Sequence, residues 1–265
     1  MNTQPRALWL VAGAVGVLLA APTLILIPMS FSESSSLSFP PSGFTLKWYA
    51  NFFASSRWMD AAAHSVTIGV VTTILSVVLG IPLAMVLVRS RFRGLGALNA
   101  LIIGPAVVPA VIVAIGTYGL MTTLGLTRTL TGLVIAHTVM ALPLVVITVT
   151  ASAQTLNRTL ELAAASLGAN RWNTFRFAVL PPLLPGIGIG AIYGFVTSWD
   201  EMIVSLFITG AGYSTLPVHM WNQVRSTSDP TTAAVSTLLV GISTLILFAA
   251  FLSSTASNKR KKLQA

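Results

Sequence analysis

Two adjacent carboxylates, Asp200 and Glu201, are the only acids set inside an apolar run of this chain. Counted from Leu183 at about 1.5 Å per residue, they fall roughly 26 Å along a helix begun there. A charge at that depth costs about 2.5 kcal/mol or more if it faces hydrocarbon. Each acid must therefore face a cavity or a partner, either lining a solute path or closing a gate or inter-helix ion pair. Trp199, Tyr193 and Trp221 lie nearby in sequence. Such rings offer a π face to a cation or sit as belt residues at a membrane surface. His137 stands mid-way along another apolar run, where it can hydrogen-bond a neighbouring helix or relay a proton. His64 and His219 are scattered, and no pair of histidines or acids recurs at ligand spacing. The sequence thus proposes no metal site and no catalytic residue.

The elements that must position these groups follow from composition. Of 265 residues, 54% are hydrophobic and 8% charged, too few charges for a soluble domain of this size. The class is a polytopic membrane protein. The net charge of +9 resides mostly in short loops, where it reports orientation in a bilayer; it does not read as a nucleic-acid footprint. Cysteine is absent, which excludes a disulfide framework and thiol metal ligation.

Apolar runs place six spans at about 8–30, 65–88, 98–120, 130–150, 183–208 and 233–256, each near the 20 residues that cross a bilayer core. Backbone groups cannot stay unpaired in lipid, so the expected fold is all-α, a single transmembrane domain over residues 1–265. The first run is read as a retained helix, since Pro22 and Pro28 interrupt it and no small-residue cleavage site follows. With the N-terminus inside, Arg6, Arg89, Arg91, Arg93, Arg158, Arg171, Arg176, Lys259, Arg260, Lys261 and Lys262 are inner, against Lys47, Arg57, Arg128 and Arg225 outside. The positive-inside rule then puts both termini in the cytoplasm. Phe44–Phe53 reads as an interfacial helix or a contact for an external partner. Residues 210–229 read as a short helix at a pathway mouth or as a plain loop. Gly186, Gly190 and Gly194 recur every fourth residue on the fifth run. That stripe lets backbones approach closely, within this subunit or at a seam with another.

Residues 151–181 form a basic loop between the fourth and fifth runs. Glu161 to Leu167 favours helix, with Ala163, Ala164 and Ala165 keeping it slim enough for another protein to approach. Gly168 suits the left-handed stop. Asn170 can cap a second short helix carrying Trp172, Phe175 and Phe177. Pro181, Pro182 and Pro185 mark the turn into the fifth span.

Ala163, Ala164 and Gly168, followed by Leu180 and Pro181, resemble the cytoplasmic coupling loop of permease subunits in binding-protein-dependent ABC importers. That pattern is an acid, two alanines, three variable positions and a glycine, closing on Leu-Pro. Here Leu162 stands before Ala163, and the acid is one place earlier, at Glu161. The segments Phe44-Thr-Leu-Lys-Trp-Tyr, Arg89-Ser-Arg-Phe-Arg-Gly94, Ala136-His-Thr-Val, Ala141-Leu-Pro, Ser198-Trp-Asp-Glu and Thr215-Leu-Pro-Val look like the second permease of spermidine/putrescine importers.

The resemblance implies a type I importer permease in a bacterial inner membrane. Such a permease pairs with a homologous second permease as a heterodimer, sits on two ATP-binding subunits and receives solute from an external binding protein. ATP and Mg²⁺ would belong to the partner ATPase. Consistent with that division, the chain has no Gly-x-x-x-x-Gly-Lys-Ser/Thr loop, so this chain is expected to bind no cofactor and perform no bond chemistry. A polyamine cargo, with protonated amines, would find counter-charge in Asp200 and Glu201. Rival cargoes for the same mechanism are ferric iron, thiamine or phosphonate. A self-sufficient secondary carrier or channel is the rival from another class, and no inverted repeat supports it.

Overall fold

A computed structural model of the chain describes residues 6–36, 39–210, 212–226 and 229–263. Its helices are α1 (Arg6–Met29), α2 (Lys47–Ala54), α3 (Ser56–Arg89), α4 (Leu95–Val107), α5 (Ala110–Thr123), α6 (Leu130–Gln154), α7 (Arg158–Ser166), α8 (Arg171–Thr174), α9 (Leu180–Trp199), α10 (Ile203–Ile208), α11 (Leu216–Ser226) and α12 (Thr231–Leu263). Among the described residues there is no strand, so the fold is all-α. Five helical stretches are long and apolar enough to cross a membrane, and α4 with α5 makes a sixth if counted together.

The third span expected at 98–120 is not one helix. α4 and α5 meet at an angle of 110°. Val108 is extended (φ −72°, ψ 137°) and Pro109 follows with ψ 132°. Proline disfavours α conformation in the residue before it, which ends α4 there. The fifth span expected at 183–208 is also broken: α9 ends at Trp199 and α10 starts at Ile203. Nor is the helix after Asn170 separate. α8 passes through a π turn, Phe175–Val179, directly into α9. Leu180 N–H reaches back five residues to the Phe175 carbonyl. Pro181 and Pro182 follow without N–H groups to donate, and the wider turn adjusts the backbone ahead of them.

Two compact units divide the chain. In the unit formed by Met1–Asp60 with His219–Thr244, α1 has no buried residue in its most apolar window. After it, Trp48 Nε1 donates to the Ser32 carbonyl at 2.6 Å and Ser30 Oγ meets Tyr49 Oη at 2.7 Å. Phe52, Trp58 and His219 continue this aromatic cluster, with His219 edge-on to Trp58 at 4.4 Å between centroids.

The unit formed by Ala61–Val218 with Leu245–Ala265 is organised around α6. Thr129 caps that helix, its Oγ1 accepting from Gly132 N at 3.0 Å. One core gathers Ile68, Met121, Leu133, Val204 and Ile208, joining α3, α5, α6 and α10. The other gathers Ala84, Ile102, Val146, Val149 and Leu183, joining α3, α4, α6 and α9. The glycine stripe of α9 faces α6 of the same chain. A Cβ on Gly186 would lie 2.7 Å from the Thr148 carbonyl oxygen, and one on Gly190 would lie 2.6 Å from Thr148 Oγ1. On Gly194 it would be 3.4 Å from Val145. The two helices approach at a distance that only hydrogen allows at Gly186 and Gly190.

Candidate functional site

The acid pair sits in the break between α9 and α10. Asp200 N closes the last turn of α9 on the Val196 carbonyl at 3.0 Å, and the Asp200 side chain is exposed. Glu201 is half-buried, and its Oε1 accepts from Val204 N at 2.8 Å, capping the first turn of α10. A carboxylate suits that place, because the first N–H groups of a helix lack partners and carry partial positive charge.

His137, fully buried on α6, touches both sides of the break. Its Nδ1 meets Ser198 Oγ and its Nε2 meets Ser205 Oγ, each at 2.7 Å. Ser198 lies on the last turn of α9 and Ser205 on α10. One imidazole therefore ties three helices together.

The aromatic candidates fall into different surroundings. Trp199 is 4% exposed and stacks on Phe195 at 5.8 Å. Its ring is packed within the chain against Phe195. Tyr193 is exposed. Trp221 belongs to the other unit, where the Arg225 guanidinium lies 5.7 Å from its ring centroid. Between α4 and α6 runs a cavity of about 560 Å³ whose polar lining includes Asn99, Thr150 and Gln154 and no acid. Asp200 and Glu201 are not part of that cavity's lining.

The loop segment builds itself from local rules. Asn157 Oδ1 accepts from Thr159 N at 2.9 Å and starts α7. Gly168, at φ +82°, ends it. Gly168 N donates to Ala165 O and Ala169 N to Ala164 O, both at 3.0 Å. This paired arrangement satisfies the last carbonyls of the helix. Asn170 Oδ1 then accepts from Asn173 N at 2.8 Å and opens α8. Leu162 and Leu167 are 68% and 88% exposed, and Ala163 and Ala165 are exposed beside them. Leu180 is half-buried and Pro181 exposed at the start of α9. Glu161 turns inward, where both its oxygens accept from Arg89 at the end of α3, with Nη1 to Oε2 at 2.8 Å.

Two partners went unnamed in the sequence reading. Ser205 sits in a run whose helical phase changes at the break, so its meeting with His137 was hidden. Arg89 counts in the sequence as an inner charge and as part of a matching segment, and its place at the end of an apolar run is the signal for its pairing with the loop.

Among the described residues, five helices long enough to cross a membrane, six with the bent pair, and an exposed, capped loop helix fit a transport permease. Residues 52–262 match the family model described as binding-protein-dependent transport system inner membrane component, and the chain belongs to that family. It is a multi-pass inner-membrane permease of an ABC importer. It is 30% identical over 246 residues to the spermidine/putrescine transport system permease protein PotC of Escherichia coli K12, covering 93% of each chain. It is 30% identical over 250 residues to the putrescine transport system permease protein PotI of the same organism, covering 92% of this chain and 89% of that one. Its fold is similar to a chain of a bacterial ABC transporter that imports the acidic polysaccharide alginate, with TM-score 0.70 at 14% identity and coverage of 96% and 98%.

Proposed function

We propose that this permease moves polyamines such as putrescine and spermidine inward across the membrane. The observation that carries this reading is relatedness to PotC along nearly the whole chain, joined to two acids at a helix break. At an effective dielectric constant of about 20, an ammonium 4 Å from a carboxylate gains roughly 4 kcal/mol gross. That is enough to favour a desolvating dication over a neutral solute at the break. Asp200 and Glu201 supply this counter-charge, with Tyr193 available for cation–π contact.

The drive comes from outside the chain. Of two ATP-binding subunits that hold ATP and Mg²⁺, one docks from the cytoplasm on the slim face of α7 at Leu162, Ala163, Ala165 and Leu167. Gly168 and Asn170 fix the ends of the lever, and Leu180 and Pro181 lead its motion into α9. Glu161 passes the push to α3 through Arg89. A homologous second permease completes the pathway as a heterodimer, an external binding protein delivers cargo, and both termini face the cytoplasm. This chain itself hydrolyses nothing.

Affinity purification of the complex from native membranes, reconstitution, and uptake of labelled putrescine test the reading. Expected are a co-purifying ATPase, ATP-dependent uptake, and competition by spermidine but not by thiamine, phosphonate or ferric iron. Uptake that ignores polyamines assigns another cargo. Transport that persists without ATP or partners overturns the importer mechanism for this chain.

A further inference from the structure

We propose that His137 is a positioning residue that fixes the geometry of the acid pair and thereby sets which spacing of positive charges the permease prefers. The proposal rests on the polyamine reading above. Breaking a membrane helix leaves carbonyls at the end of one segment and N–H groups at the start of the next without partners, so the break must be held. Two holds are visible. Glu201 caps Val204 N from within the break. His137 then grips Ser198 on one side and Ser205 on the other, both at 2.7 Å, from a fully buried position on α6.

A neutral imidazole has one donor and one acceptor, and a serine hydroxyl can be either, so both bonds form whichever tautomer is present. Losing the ring leaves two buried hydroxyls without this partner. α6 is itself anchored along α9 by the glycine stripe. The relative placement of the Asp200 and Glu201 carboxylates is thus referred to a rigid element. A diamine carries two charges at a separation set by its methylene count. Acids held in place select one separation; acids on a loosened break accept several.

The test compares wild-type and His137→Leu complexes, reconstituted with their partners, in uptake of diamines of three, four and five methylenes. For the preferred diamine, KM is expected to rise about tenfold, because both bonds that hold the acids in one geometry are lost. The maximal rate should hold within about twofold, the signature of lost binding geometry. The preference among the three lengths should flatten. His137→Gln, which keeps one amide bond, should recover part of each effect. If His137→Leu fails to assemble, Ser205→Ala, which removes one hydroxyl, takes its place. Loss of rate with unchanged KM and unchanged length preference would reduce His137 to a packing residue and overturn the proposal. A second readout needs no cargo: amide exchange at Val204 to Ile208 should quicken in the variant, and unchanged exchange sinks the tie itself. A wild-type complex that moves no diamine overturns the polyamine reading and the selectivity claim together, while the exchange result still judges the tie.

Discussion

Arg89 and Glu161, 72 positions apart in sequence, close on each other through both carboxylate oxygens. The pair joins the last residue of α3 to the first turn of α7. Both side chains are partly covered, which shields the bond from the screening that makes most surface pairs weak. A guanidinium fork on a carboxylate also fixes direction, as a point charge would not. The loop helix is thereby fastened to a membrane span as well as to its neighbours in the chain.

Breaking this pair is expected to loosen the link between ATP use and uptake. Arg89→Ala and Glu161→Ala should each lower transport per ATP by roughly fivefold or more, in the range of ordinary coupling energies. The exchange of both, Arg89→Glu with Glu161→Arg, should restore part of it. Transport and ATPase rates in proteoliposomes decide, and single variants indistinguishable from wild type would leave the pair ornamental.

Glu201 has two jobs that one substitution separates. Glu201→Gln keeps an oxygen for the Val204 N–H but removes the charge; Glu201→Ala removes both. Loss of the cap should cost about 1 kcal/mol of local stability, visible as faster amide exchange in α10 for the alanine variant alone. Both variants should raise KM for putrescine if the charge meets cargo, and equal uptake by all three proteins would exclude that role.

The α9 glycines differ in what surrounds them. A Cβ at Gly190 would press on Thr148 Oγ1 at 2.6 Å, whereas nothing lies within 4 Å of one at Gly188. Gly190→Ala should destabilise by about 1–3 kcal/mol through overpacking, and Thr148→Ala should relieve it. Gly188→Ala should be neutral or slightly stabilising through helix propensity. Melting of the purified complex tests this, and equal Tm shifts at both positions would contradict the packing described.

His219 gives a pH dependence. Burial, and then the charge of Arg57, hold its imidazole below the usual 6.5. The folded state therefore favours neutral His219, while the unfolded segment binds its proton first as pH falls. The docking of His219 against Trp58 is thus fully stable above about 6.5, and its stability declines as pH drops from there toward the lowered folded value. Amide protection in α11, measured relative to the intrinsic exchange rate at each pH, should fall between about pH 7.5 and 5.5, and His219→Phe, which keeps an edge for Trp58, should abolish that fall. An unchanged pH response in the variant would place the titrating group elsewhere.

Most of the membrane architecture could be read from the chain because hydrophobic runs and loop charges are local signals. α7 was equally legible: alanines, Gly168 and Asn170 each act within a few residues of themselves. The breaks were harder. Pro109 was visible but left inside a span, because prolines at positions such as Pro82 and Pro143 do sit within helices here. What distinguishes Pro109 is that α4 and α5 pack into different cores, and that is a tertiary fact. Likewise Asp200 and Glu201 declared themselves by charge, but the end of α9 beneath them depends on His137, Ser198 and Ser205 meeting across more than sixty residues.

At the loop, Glu161 is turned in toward Arg89 of its own chain, and the next place, before Ala163, shows an exposed leucine, Leu162. A subunit that grips this face must bring an apolar socket for Leu162, because the carboxylate one place before it is already spent inside the chain.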